Sequence, residues 1–149
     1  MAHHLMEKKV KEKHLNVQVY SCGIYANTGD GATDEAIEVM EEYGVDMKCH
    51  RATNIAKAPL EKMNLILCMT TGHKQIVMRM YPDLKEKIFT LKEYAEKDKA
   101  IDDKNIDDPW GYTLATYRAC ASQIDNCLEK ILDSWVNSKF SKEKGSKSE

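Results

Sequence analysis

Long apolar runs are missing from this sequence of 149 residues. No stretch approaches the roughly 20 consecutive apolar residues that a membrane-spanning helix needs, and the first residues lack the apolar centre of a signal peptide. An excess of one charge is missing as well, because 22 basic residues face 24 acidic ones, for a formal net charge of −2. This balance gives no electrostatic reason to expect a nucleic acid or a membrane as a partner.

Paired cysteines are also lacking, since the chain has five cysteines and no Cys-x-x-Cys motif. The cysteines and histidines do not follow the spacing of a zinc site either. Cys49, His50, Cys68 and His73 come nearest to such a set, and their spacing has no recognisable pattern. We therefore predict no metal ion and no cofactor. Reduced structural thiols are typical of the cytoplasm, which is the predicted location.

Amphipathic helices and short strands are what the chain does contain. Apolar residues spaced by three and four predict helices over residues 2–14, 33–44 and 114–135, and Ile76, Val77 and Met80 predict a further helix that ends near Pro82. Runs of β-branched or continuous apolar residues predict strands at 17–20, 65–69 and 88–91. Alternating strands and helices indicate an α/β fold with a parallel sheet flanked by helices in three layers. We expect one domain over residues 1–137 and a charged, disordered tail over residues 138–149.

The segment from Asp107 to Gly111 carries the clearest chemical signal. A carboxylate before a proline has a restricted, extended backbone, and the neighbouring Trp110 offers an apolar wall that can raise a carboxyl pKa and stack on a flat substrate group. A general acid for a departing phenol or guanidine needs such a setting. The alternative is an ordinary Asp-Pro turn beside a core tryptophan.

The chain resembles the low-molecular-weight protein phosphatases over roughly residues 1–136. The resemblance rests on five segments in the family's order and spacing: Ser21–Ala26, Gly31–Ala36, His50–Ala52, Leu65–Thr70 and Asp108–Gly111. It implies a phosphotyrosine phosphatase I-like fold and hydrolysis of phosphotyrosine or phosphoarginine in a phosphorylated protein or peptide, through a cysteinyl-phosphate intermediate and without metal. The single aromatic residue before Gly111 resembles the phosphoarginine branch more closely.

The same resemblance assigns roles to individual residues. Asp108 corresponds to the general acid, which protonates the leaving group and later activates water, and Asp107 is the alternative acid one position away. Trp110 falls where an aromatic residue lines the substrate pocket. Ser21 matches a serine that supports the phosphate loop, although a serine that caps a turn at a strand end explains it equally well.

The family's nucleophile, the cysteine of a Cys-x5-Arg loop, has no counterpart in these 149 residues. Counting six positions on from each of the five cysteines gives Thr28, Ile55, Lys74, Asn126 and Asp133, and none is arginine. Cys68 with Lys74 is the nearest candidate, but lysine lacks the planar fork that grips a phosphoryl group. By the resemblance, Met1-Ala2 begins where the loop motif ends.

The resemblance also places a strand inside the sheet between 17–20 and 65–69, and this strand is absent from the sequence. Strands lie about 4.8 Å apart, so its absence leaves a gap of nearly 10 Å. We expect the chain to close the gap, to form a homo-oligomer by strand exchange, or to be marginally stable. Three hypotheses of function stay open: a phosphatase whose recorded sequence starts at an internal methionine, a non-catalytic remnant that binds anions or a partner, and a fragment without function.

Overall fold

The computed structural model describes residues 1–97 and 99–145. Its helices and strands follow one another along the chain as α1 (Ala2–Glu12), α2 (Asp34–Glu42), β1 (Ile66–Cys68), α3 (Thr71–Met80), β2 (Ile88–Thr90), α4 (Leu91–Glu96) and α5 (Leu114–Gly145). Three 3-10 helices lie between them, at Ile55–Lys57, Leu60–Lys62 and Pro82–Lys87. None of the described helices combines the length and apolar character that crossing a membrane requires.

The sheet is parallel and lies between two layers of helices. β1 and β2 pair with Ile66 opposite Ile88 and Cys68 opposite Thr90, and α3 forms the crossover between them. Alternate side chains of β1 enter different cores, because Leu67 packs against the core around α5 while Cys68 belongs to the core that includes Val77 of α3. The predicted α/β fold with flanking helices is confirmed, with two strands in the described part of the chain.

The larger core forms around α5, as the spacing of its apolar residues predicted. Tyr117, Ala121, Ile124, Leu128 and Ile131 along this helix are all buried. Helices α1, α2 and α4 each pack against α5. The apolar stripe predicted for the first helix is confirmed in the same way, since its Leu5, Met6 and Val10 are buried in this core.

The strand predicted at 17–20 is wrong, because the structure has no strand between residues 15 and 22. Val17 and Val19 pack against the α5 core, but the Val17 amide bonds locally to the Leu15 carbonyl at 3.1 Å. A strand exists only where a neighbouring ladder accepts its hydrogen bonds, and no strand of the described residues lies beside this segment. Pairing begins at Gly23, which forms a parallel bridge with Asn54.

The predicted ends of α2 are confirmed, whereas α5 extends beyond its predicted end. Thr33 caps α2 through a hydrogen bond from the Ala36 amide to its Oγ1 at 3.3 Å, and Gly44 follows the helix with a φ of 72°, as predicted. The domain end predicted at residue 137 falls inside α5, which continues to Gly145. Lysine and glutamate favour helix extension, so residues 138–145 continue the helix instead of forming an irregular tail. Residues 146–149 lie outside the described residues.

Candidate functional site

The loop that contains Asp107 to Gly111 is anchored at the carboxyl end of β1. The Ile106 amide donates a hydrogen bond to the Met69 carbonyl at 2.8 Å, and the Asn105 side chain accepts one from the Thr71 amide at 2.8 Å. Ile106 itself is buried in the α5 core. Ligands of open α/β sheets bind at the carboxyl ends of parallel strands, so the loop lies where the fold favours a site.

Asp108 lies in a tight turn on the surface of this loop. Its Oδ1 accepts a hydrogen bond from the Trp110 amide at 3.0 Å, and Pro109 between them is buried. Trp110 is 72% exposed and Tyr112 is 67% exposed. The Asp-Pro turn is therefore present, but its tryptophan is not in the core. An exposed carboxylate beside an exposed aromatic ring can meet a ligand that approaches from solvent.

Asp107 differs from Asp108 in what its backbone does. Its carbonyl oxygen accepts a weak hydrogen bond from the Cys120 thiol, whose Sγ lies 3.7 Å away. The side chains of both aspartates are exposed. The Asp107 backbone thus fixes the loop to α5, while Asp108 organises the turn that leads to Trp110.

Ser21 lies beside the first turn of α1, far along the chain from the aspartates. Its Oγ is 2.7 Å from Nδ1 of His3, whose Nε2 is 2.8 Å from the Glu7 carboxylate. This region and the loop both lie near Cys120. The Met1 amino group and the two aspartates are close enough to shift the pKa of the Cys120 thiol. The start of α1 and the Asp108 loop therefore approach each other around Cys120.

The thiols near the site are not set up as nucleophiles. Burial raises the pKa of Cys120; the Met1 ammonium opposes this rise, and Asp108 and Asp107 add to it. Burial likewise raises the pKa of Cys68 to about 11. A nucleophilic cysteine needs the opposite shift. Lys74, the only basic group at the right spacing from a cysteine, is held by both carboxylate oxygens of Glu93 at 2.9 Å.

Three histidines that the sequence reasoning did not connect meet beside Ser21. His3, His4 and His50 each offer a ring nitrogen, and these atoms lie within 4.8 Å of one another. Burial lowers the pKa of both His4 and His50, and neighbouring positive groups, including the Met1 ammonium, lower these pKa values further. Cys49, Cys68 and His73, the residues considered with His50 from the sequence, do not join this group. No sequence spacing reveals the cluster, because His50 comes from a separate loop.

This chain is similar to a known protein family and to individual proteins. It matches the family model described as low molecular weight phosphotyrosine protein phosphatase over residues 1–144. A protein-arginine-phosphatase from Geobacillus stearothermophilus is 30% identical over 133 residues, which cover 89% of this chain and 84% of that protein. The probable low molecular weight protein-tyrosine-phosphatase EpsP from Ralstonia solanacearum is 29% identical over 80% of this chain and 75% of its own.

Solved structures give the same result. The YwlE arginine phosphatase from Geobacillus stearothermophilus superposes with a TM-score of 0.82 at 28% identity, over 94% of this chain and 86% of that one. A low molecular weight protein tyrosine phosphatase from T. tengcongensis gives a TM-score of 0.81 at 30% identity, over 89% and 88%. Sequence and fold therefore point to the same family across nearly the whole described chain.

Proposed function

Because this chain belongs to the low molecular weight phosphotyrosine protein phosphatase family, we propose that it carries the general acid of a phosphatase that acts on phosphotyrosine or phosphoarginine in proteins. Asp108 is that acid. The observation that carries the proposal is the exposed Asp108 turn at the carboxyl end of β1, with Trp110 beside it. The proposed location is the cytoplasm, which the five unpaired cysteines support.

The chemistry assigned to Asp108 balances in two steps. When a thiolate attacks phosphorus, the bond to the leaving oxygen or nitrogen breaks, and the protonated Asp108 gives that atom its proton. The resulting carboxylate then removes a proton from water, whose oxygen attacks phosphorus and releases the thiolate and inorganic phosphate. We assign Trp110 the role of stacking on the flat phenol or guanidine as it departs, which its exposed ring supports.

The thiolate and its arginine have no counterpart in these 149 residues, so we expect the chain by itself to be inactive. The first test is hydrolysis of p-nitrophenyl phosphate and of phosphoarginine by the 149-residue chain, with Asp108→Asn beside it. We expect no turnover that depends on Asp108. Turnover that this substitution abolishes would overturn the expected inactivity. Reading the coding DNA before the Met1 codon shows directly whether a Cys-x5-Arg loop is encoded there.

The second test adds the nucleophilic cysteine and the arginine that the proposed reaction requires. A loop-extended chain carries an apolar strand and a Cys-x5-Arg loop of the family's pattern directly before Met1. We expect it to hydrolyse phosphoarginine or phosphotyrosine, with Asp108→Asn lowering kcat by about 100- to 10,000-fold. Asp107→Asn is the matched control and should leave kcat within a few-fold. An active loop-extended chain that is indifferent to Asp108→Asn would contradict the assignment of the acid.

The runner-up function is a non-catalytic protein that binds anions or a partner. It is favoured by the start of α1, where Met1 provides no side-chain cap for the free amides of the first turn and its own amino group lies close by. Titration with inorganic phosphate, followed by amide chemical shifts, separates the two functions. Two results together would favour the anion-binding protein. Phosphate would shift only the amides in the first turn of α1, and the loop-extended chain would be inactive.

A further inference from the structure

We propose that His3, His4 and His50 form a binding site for a divalent transition metal ion such as Zn²⁺ or Ni²⁺. His3 and His4 are neighbours in the first turn of α1, and His50 lies in the loop that follows α2. One ring nitrogen from each lies within 4.8 Å of the others. Among the described residues this is the one group of three or more potential ligands that converges in this way.

The contact between His4 and His50 is the starting point for the site. Nε2 of His4 lies 2.9 Å from Nδ1 of His50, so one ring proton is shared between two nitrogens that face each other. Two nitrogen ligands of a tetrahedral zinc ion are about 3.3 Å apart, since each Zn–N bond is about 2.0–2.1 Å. Replacing the proton by a metal ion therefore needs the two nitrogens to move apart by a few tenths of an ångström and the rings to turn until both lone pairs point at the ion.

His3 is held beside this pair by its own partners. Its ring stacks on His4 with a centroid distance of 4.8 Å and meets the edge of His50 at 6.2 Å. Ser21 and Glu7 each hold one nitrogen of the His3 ring. When a metal ion takes one of these nitrogens, the partner on the other still fixes the ring, as second-layer groups do in metal sites.

Glu7 adds negative charge at the point where the ion would bind. Its second carboxylate oxygen lies 3.7 Å from Nδ1 of His4, so one carboxylate contacts both histidines of α1. A carboxylate can complete a site of three imidazoles as a fourth ligand or balance the charge of the ion. The loop that carries His50 is braced by a hydrogen bond from the His50 amide to the Met47 carbonyl at 3.0 Å.

The ligand set selects the kind of metal. Imidazole nitrogens suit zinc, copper, nickel and cobalt, whereas magnesium and calcium prefer sites made of oxygen atoms. None of the three histidines has a role in the proposed hydrolysis. Metal binding here is therefore a further property of the molecule.

Calorimetric titration of the 149-residue chain without any affinity tag tests this proposal. We expect one equivalent of Zn²⁺ or Ni²⁺ to bind and Mg²⁺ not to bind. His50→Gln and His4→Gln should each weaken the affinity by more than about 100-fold, beyond the loss typical of a second-layer change. His73→Gln, on α3, is the matched control and should bind as the unaltered chain does. Thermal unfolding without metal checks that each variant folds.

A measurement on the unaltered chain covers the case in which the variants do not fold. Paramagnetic Co²⁺ or Ni²⁺ should broaden the ring signals of His3, His4 and His50 and leave those of His14 and His73 sharp. The absorption spectrum of the Co²⁺ form should lack the thiolate charge-transfer bands that a cysteine ligand produces. The proposal is wrong if such bands appear and vanish in Cys49→Ser, if the broadening falls on other histidines, or if no ion binds.

Discussion

A lysine of α1 bonds to two acidic residues of α5 and adds to the apolar contacts between these helices. Lys9 of α1 is 9% exposed, and its Nζ lies 2.7 Å from Asp125 and also bonds to Glu129, both on α5. Burial alone would lower the pKa of Lys9, but hydrogen bonds to Asp125 and Glu129 outweigh it, and the pKa is raised. The hydrogen bond from Lys9 in turn holds the pKa of Glu129 below its usual range, with only partial opposition from burial.

This pairing predicts a pH dependence of stability. The folded chain keeps Glu129 ionised at a pH where the unfolded chain already takes up the proton, so stability rises with pH in that window. The contribution is complete above the usual glutamate pKa of about 4.3 and is lost as the pH falls through the lowered pKa of the folded state. Because the Glu129 side chain is 42% exposed, solvent screening keeps the contribution of its charge to the free energy of unfolding below about 1 kcal/mol.

The measurement is the free energy of unfolding by urea at pH 7 and at pH 4. Glu129→Gln should be less stable than the unaltered chain at pH 7, and the difference should shrink at pH 4. Glu86→Gln, at an exposed position of a 3-10 helix, is the control. Equal losses for Glu129→Gln at both pH values would contradict the role given to its charge.

Among the helices and strands, α4 shows how a short element depends on its cap. It has six residues, and Thr90 precedes it as the last residue of β2. The Thr90 hydroxyl accepts a hydrogen bond from the Glu93 amide at 3.1 Å, and the Glu93 carboxylate accepts one from the Thr90 amide at 2.9 Å. Both helix-end amides are satisfied by this capping box.

Removing the cap should destabilise the whole domain, because α4 packs on α5 and Thr90 is fully buried. We expect Thr90→Ala to lower the free energy of unfolding by about 1–2 kcal/mol. Thr90→Ser keeps the hydroxyl and is the matched control, with a loss less than half as large. Urea unfolding of the three chains measures both values, and equal losses for Ala and Ser would show that the methyl group matters and the cap does not.

The sequence predicted those elements whose signal is contained within them. The apolar spacing of α5 and the continuous apolar run of β1 each identified the element. The capping box of α4 is also present in the sequence, as the pattern Thr90-x-x-Glu93. The segment at 17–20 has the alternation of a strand but forms none, because a strand requires a neighbouring strand, and periodicity within one segment carries no information about that neighbour.

The candidate site was predictable to a similar degree. The Asp108 turn follows from local rules for Asp and Pro, and the structure contains it. The exposure of Trp110 and the meeting of His3, His4 and His50 were not predictable, since each depends on how segments far apart in the sequence pack together. Such contacts between distant segments need the assembled fold.

At the scale of the whole molecule, the two-stranded sheet leaves a backbone edge without a partner strand among the described residues. β1 pairs with β2 on one side, and among the described residues no strand pairs with its other edge. Val17 and Val19 cover part of the core without forming a ladder. The family resemblance predicts a further strand between these two segments, and we propose that it would bury its own apolar side chains and satisfy the unpaired edge.

The loop-extended chain tests this directly, with its catalytic cysteine changed to serine and its arginine to alanine so that stability is measured apart from chemistry. We expect the free energy of unfolding to rise by at least about 2 kcal/mol, the worth of burying one or two large apolar side chains. The Val19 amide should then exchange with solvent more slowly, because a ladder forms at 17–20. A chain of equal length with the strand residues replaced by Gly and Ser is the control. The alternative result is that neither the added strand nor the Gly/Ser control changes the stability or the exchange rate. In that case no strand pairs with the open edge of β1, and Val17 and Val19 already complete the core.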